Sequence, residues 1–143
     1  LLSSFASITS STTKEDLLKY SNVKEGVYSN GEGDFEIIIC YNKGKEKAYI
    51  WTDEQTNKVQ NIEIIDSTFT TDKGVKVGTS YADLLKAYPN LSFHGSEIEG
   101  RVSGSNDSLQ YDFLMSHREW SYDLTELEEL KKSTVDNITI LYK

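Results

Sequence analysis

Asp16-Leu17-Leu18-Lys19-Tyr20-Ser21-Asn22 returns later in the chain as Asp83-Leu84-Leu85-Lys86, with Tyr88-Pro89-Asn90 after a one-residue slip. Val59-Gln60-Asn61-Ile62-Glu63-Ile64 returns in the same way as Val135-Asp136-Asn137-Ile138-Thr139-Ile140. The echoes keep their order. Leu18 lies 43 positions before Asn61 and Leu85 lies 52 before Asn137, and an insertion at Leu124–Lys132 reconciles the two spacings. Ordered self-similarity of this kind points to a duplicated supersecondary unit. The expected fold is α+β, with two helix-plus-antiparallel-sheet repeats packed as one domain. The repeats run over about 13–72 and 73–143, behind a flexible N-terminal segment at 1–12. Neither half is large enough to bury a sufficient core alone, so the two are expected to share one.

Each repeat opens on a helix signal. Thr12 stands three residues before Glu15, the spacing of a capping box, in which each side chain satisfies the other's free backbone N–H. Ser80 stands three residues before Asp83, an acid that suits the positive end of a helix. Leu84, Leu85 and Tyr88 give that second helix its apolar face, and Pro89 cannot continue it. Strand signals follow each helix. Phe35, Ile37 and Ile39 alternate with Glu36, Ile38 and Cys40, so both faces of that strand are expected to be partly covered. Asn42-Lys43-Gly44-Lys45 reads as a turn, Ala48-Tyr49-Ile50-Trp51 as the returning strand, 53–57 as a polar loop and 59–65 as a further strand. In the second half, 91–95 and 97–102 read as short strands and Gly104-Ser105-Asn106-Asp107 as a turn. Leu109, Tyr111, Phe113 and Met115 alternate with Gln110 and Asp112, the pattern of a strand with one wet face. Thr125 and Glu128 offer another capping box over Leu124, Leu127 and Leu130, and 135–142 is β-rich.

Composition sets the class. The 143 residues carry a net charge of -8, with 37% hydrophobic and 11% aromatic residues, which is globular and sufficient for one domain. Nine tyrosines and a single proline favour sheet. The acidity is spread along the chain, and a negative field disfavours nucleic acid and anionic membrane as partners. It keeps a chain soluble and suits a basic protein partner. Cys40, the one cysteine, lies in the apolar run from Phe35 to Tyr41 and is expected to be an inert buried thiol. No stretch approaches the ~20 apolar residues of a membrane span. Residues 1–13 are rich in Ser and Thr and begin without Met, which fits the stub of a removed secretory or lipoprotein leader. Any lipid anchor would then lie upstream of Leu1.

The stretch Gly74-Val75-Lys76-Val77-Gly78-Thr79-Ser80-Tyr81-Ala82-Asp83-Leu84-Leu85-Lys86 resembles the glycine, short strand, glycine and helix approach of beta-lactamase-inhibitor-protein-like domains and of small barrel-assembly lipoproteins. Thr13 to Lys19 is similar but lacks the leading glycines. Gly95-Ser96-Glu97-Ile98-Glu99-Gly100 resembles a segment of uncharacterised secreted proteins of Bacteroides-type bacteria. The resemblance covers about 30 residues, Gly74 to Gly100. It implies a tandem-repeat fold, a periplasmic, outer-membrane-attached or secreted location, and a non-catalytic role in binding other proteins.

Catalytic chemistry finds little support. His94 and His117 lack the close-spaced third and fourth ligands of a zinc site, and His94 with Glu97 and Glu99 reads as a solvated turn. There is no Gly-x-Ser-x-Gly elbow, no phosphate loop at 26–33 and no calcium loop at 53–57. No catalytic residue, metal or cofactor is therefore expected. Arginine and large aromatics are the usual anchors of protein interfaces. On that ground the candidate binding residues are Tyr49, Trp51, Arg101, Arg118, Trp120 and Tyr122, with Tyr28 as a neighbour of the first two. The expected function is a secreted or periplasmic protein-binding module acting through an open sheet face. The alternatives are an acidic immunity protein that neutralises a basic toxin, and an enzyme with an unfamiliar site.

Overall fold

The structure is a computed structural model that describes residues 2, 4–96, 101–115 and 128–142. The chain forms two compact units, Leu1–Asp66 together with Ile140–Lys143, and Ser67–Thr139. The division falls after 66, and residues 140–143 return to the first unit. The first unit contains helix α1 (Lys14–Leu17) and strands β1 (Val23–Asn30), β2 (Gly33–Asn42), β3 (Lys45–Thr52) and β4 (Val59–Ile64). The second contains helix α2 (Tyr81–Ala87), strands β5 (Ser92–Ser96), β6 (Arg101–Asn106) and β7 (Leu109–Leu114), and helix α3 (Glu128–Lys131). Strand β8 (Asn137–Leu141) is divided between them. The architecture is α+β, antiparallel strands with short helices, and the hydrogen-bonded strand order is β1-β2-β3-β4 in the first unit and β8-β7-β6-β5 in the second. Among the described residues no helix is long and apolar enough to cross a membrane.

Helix α1 is capped one residue later than the sequence pattern suggests. Thr13, not Thr12, is the N-cap: its hydroxyl accepts the Asp16 N–H at 3.2 Å, and the Asp16 carboxylate accepts the Thr13 N–H at 3.0 Å. Thr12 is occupied elsewhere, its hydroxyl accepting the Thr9 N–H at 2.9 Å and its carbonyl the Val59 N–H at 3.0 Å. Ser80 caps α2 as expected, accepting the Asp83 N–H at 3.1 Å. A helix of four residues is too short to hold itself, since nucleation outweighs its few bonds. A backbone clasp holds it. The Lys14 N–H donates to the Asn57 carbonyl at 2.8 Å, and Thr13 bridges Lys58. In the second unit the Tyr81 N–H donates to the Ser133 carbonyl at 3.0 Å, the Val135 N–H donates to the Thr79 carbonyl at 2.8 Å, and Ser80 bridges Thr134.

In the first unit the register sets Val23, Cys40, Ala48 and Ile64 in one row and Ile38, Ile50 and Ile62 in the next, all buried on one sheet face. α1 lies on that face, because Lys14 pairs at 2.8 Å with Glu25, the residue opposite Ile38. Leu2, Phe5 and Ile8, in the segment expected to be a loose terminus, are buried too. The Leu2 carbonyl accepts from Asn22 Nδ2 at 2.9 Å. The β2–β3 turn has Lys43 and Gly44 at φ 52 and 81, the pair of left-handed residues that a tight two-residue hairpin needs.

In the second unit Val75, Tyr81, Leu84, Val102, Tyr111, Phe113, Leu130 and Ile138 make the core. The Tyr81 ring lies 5.9 Å from Phe93 and 5.8 Å from Phe113, and Tyr88 stacks on Tyr111 at 5.6 Å. Two local expectations are corrected here. Gly104 is in strand β6 and not in a turn; it faces Phe93, which leaves no room for a side chain. Asp112, on the supposed wet face of its strand, is fully buried. The last two residues of the expected 97–102 strand are the start of β6, while 97–100, Thr125 and its capping box lie outside the described residues.

Candidate functional site

Alternation along β1, β2 and β3 sends Tyr28, Phe35, Ile37, Ile39, Tyr49 and Trp51 to the sheet face opposite α1. Tyr28 is directly across from Phe35, and Ile39 is directly across from Tyr49. The rings meet at angles. Tyr28 and Trp51 are 5.4 Å apart edge-on, Phe35 and Trp51 are 5.5 Å apart, and Tyr28 and Tyr49 are 5.7 Å apart. Edge-to-face pairs of this kind are worth about 0.5–1.5 kcal/mol each beyond the area they bury. They roof Ile37 and Ile39, which are buried, while the four aromatic side chains stay half-buried. Gly26 opposite Ile37 makes space for Ile39, since a Cβ there would collide with Ile39 Cδ1.

The Tyr49 hydroxyl donates to Glu46 Oε1 at 2.7 Å, and Glu63 is across from Tyr49 on β4. Burial, helped by the bond to Glu46 and by the charges of Glu46 and Glu63, raises the Tyr49 phenol well above its ordinary value. It remains a neutral donor throughout the physiological range. The result is an aromatic surface edged by carboxylates.

Of the residues singled out from sequence, Tyr49 and Trp51 are brought together here, with Tyr28 beside them. Arg101 belongs to the second unit and serves a different cluster. Its Nη1 lies 3.5 Å from the buried carboxylate of Asp112. Asp112 also accepts from Gln110 Nε2 at 2.9 Å, from Thr139 Oγ1 at 3.4 Å and from the Ser103 hydroxyl. A carboxylate withdrawn from water needs such partners, and Arg101 is accounted for as one of them. Arg118, Trp120 and Tyr122, with His117, lie outside the described residues, as do Glu97 and Glu99 beside His94. His94 is exposed on β5, across from Ser103. Among the described residues no three His, Cys, Asp or Glu side chains gather to hold a metal. Cys40 is free and buried, and burial pushes its thiol up, away from the reactive thiolate.

Sequence reading missed two features. Phe35 was seen only as a strand residue, although its pairing with Tyr28 places it in the aromatic face. The second is a groove of about 880 Å³ on the first unit, lined by Lys14, by 34–38 of β2, by 51–55 and Asn57 at and beyond the end of β3, and by Gln60 of β4. Its walls are distant in sequence and only the strand register unites them.

No family model matches the chain, and no curated protein matches it. Among solved structures it is similar to the crystal structure of the uncharacterized protein yfeY from Escherichia coli, with a TM-score of 0.66 over 94% of this chain and 92% of that one. At 19% sequence identity, the likeness is one of fold.

Proposed function

We propose that this chain is a non-catalytic protein-binding module that engages its partner through the aromatic face of β1, β2 and β3. The observation that carries the reading is the half-buried cluster of Tyr28, Phe35, Tyr49 and Trp51 over Ile37 and Ile39. Tyrosine and tryptophan offer large contact area at small entropy cost, and they dominate interface hot spots. Glu46 and Glu63 beside Tyr49 favour a partner that presents basic side chains around an apolar centre. The resemblance of Gly74–Lys86 to inhibitor and barrel-assembly domains supports the same role, together with a periplasmic, outer-membrane-attached or secreted location.

In this reading the two units are copies of one ancestral half. Equivalent hydrogen bonds support it: Thr12, Lys14, Asn57 and Val59 in the first unit make the clasp that Thr79, Tyr81, Ser133 and Val135 make in the second. Leu17 and Leu84 are fully buried one position after the capped Asp16 and Asp83. Ile62 and Ile138 are fully buried at matching places in the final strands.

The immobilised chain is expected to capture a partner from an envelope extract of its source. Tyr49→Ala and Trp51→Ala each weaken capture by about thirtyfold, the effect of a ~2 kcal/mol hot spot. Leu18→Ala, an exposed apolar residue in neither the groove nor the face, leaves capture unchanged. Capture that is indifferent to both aromatic changes, in variants whose melting curves match the parent, would overturn the reading.

A further inference from the structure

We propose that the groove between the first half of β2 and the 53–57 loop accepts an extended peptide segment with alternating lysine or arginine, which joins β2 as an added strand. β2 pairs with β1 over residues 33–40, from Asn30 opposite Gly33 to Val23 opposite Cys40. Its pairing with β3 begins only at Ile38 opposite Ile50. The backbone of 34–37 therefore has no ladder partner on its β3 side among the described residues. Beyond Ile50, β3 continues along β4, with Trp51 opposite Asn61 and Thr52 opposite Val59. The chain then turns away through a loop tied by Asp53 to the N–H groups of Gln55 and Thr56 at 2.8 and 2.9 Å. The sheet splays, and the groove of about 880 Å³ fills the opening. Four unpaired strand residues span roughly 13 Å at ~3.3 Å each, enough for two or more main-chain bonds to a peptide. Strand addition to an open edge takes its affinity from those bonds and its selectivity from alternate side chains.

Charge selects the occupant. The groove is lined by Asp34, Glu36, Asp53 and Glu54 against one ammonium, Lys14, which Glu25 holds at 2.8 Å. Asp53 is committed to its loop, and Asp34 Oδ1 accepts the Ser29 hydroxyl at 2.6 Å. Glu36 and Glu54 are exposed and make no hydrogen bond among the described residues. Asp34 and Glu36 are two apart on the strand and share the α1 side. A peptide strand laid beside them presents every second side chain to the same acidic row. The intervening side chains turn toward Phe35 and Trp51. The fitting sequence is basic-apolar-basic. The groove shares Phe35 and Trp51 with the aromatic face, but Tyr49 does not line it and Glu36 is on the other side of the sheet, so the two sites are separable by substitution.

The test uses the whole chain and a capped peptide, Lys-Val-Lys-Val-Lys, followed by amide NMR and hydrogen exchange. Binding is expected to shift and protect amides within 34–37. A Glu-Val-Glu-Val-Glu peptide should not bind, and N-methylation of the two valines should abolish binding. Glu36→Gln combined with Glu54→Gln should weaken binding by about tenfold or more, the usual cost of losing a complementary charge rim. Tyr49→Ala should leave it unchanged. Peptide shifts confined to Tyr28 and Tyr49 would overturn the groove while leaving the aromatic face standing. Equal binding of the acidic peptide, no added protection at 34–37, or protection there that grows with protein concentration alone, through pairing with a second copy, would also overturn it.

Discussion

Asp53 ends β3 by accepting the Thr56 and Gln55 N–H groups and the Gln60 side-chain amide at 3.2 Å. The Thr56 and Gln55 bonds favour the ionised form and hold the carboxyl below its ordinary range. A carboxyl depressed on folding adds stability above its unfolded value of about 3.9, and that stability drains away as pH falls through the lower folded value. Urea midpoints measured from pH 6 to pH 2 should therefore decline at the acid end, and Asp53→Asn should flatten that decline while leaving the part owed to Asp16, which the Thr13 backbone depresses in the same way. Sequence reading identified 53–57 as a polar loop but not the capture of its N–H groups, which depends on geometry inside the turn. Asp112 shows the complementary difficulty. Its alternation with Tyr111 and Phe113 was legible, and so was its side of the sheet. Its burial was not, because Ser103 across the ladder, Thr139 from a strand remote in sequence and Arg101 supply the partners that make a dry carboxylate tolerable. That Tyr49 and Trp51 share a sheet face was legible from their spacing; that Phe35 joins them follows from register.

Helices α1 and α2 are short and depend on their first turns. Thr13→Ala removes the acceptor for the Asp16 N–H and should cost about 1 kcal/mol, read as a lower urea midpoint. Thr12→Ala loses only a bond to Thr9 outside the helix and should cost less. The order reverses if Thr12 is the cap. Both threonines have an acidic residue three positions on, so sequence spacing could not separate them. The choice belongs to the clasp, which takes the Thr12 carbonyl for Val59 and leaves Thr13 at the boundary. The meander from β2 to β4 was legible because period-two patterning and the Lys43-Gly44 turn agree, whereas β1 was not, its Gly26 and exposed Val27 breaking the apolar pattern. The end of β6 was not. Gly104 and Asn106 look like turn residues, yet the strand continues to Asn106 because Gly104 gives Phe93 a place to lie.

For the whole molecule, the first unit is assembled from both stretches of the chain, 1–66 and 140–143. The Tyr142 N–H donates to the Gln60 carbonyl at 2.9 Å, beside half-buried Ile140 and Leu141. Removing 140–143 withdraws three partly buried apolar side chains, and at 1.5–3 kcal/mol for a fully buried one the loss should be about 3 kcal/mol. Hydrogen exchange at β4 amides such as Ile62 and Ile64 should quicken. Unchanged exchange there would show that the first unit does not rely on these residues. The ordered echoes gave no sign of this return of the chain, because the pattern of Val135–Ile140 looks the same whichever neighbour it serves.

The return carries a consequence for how the protein is made. Domains usually mature in order as they leave the ribosome. Here residues 1–66 are made before 140–143 and wait for them, since the partner of Gln60 is Tyr142. Until that tyrosine emerges β4 lacks this bond. The nascent chain is thus most in need of a chaperone's protection between the emergence of residue 66 and that of residue 142.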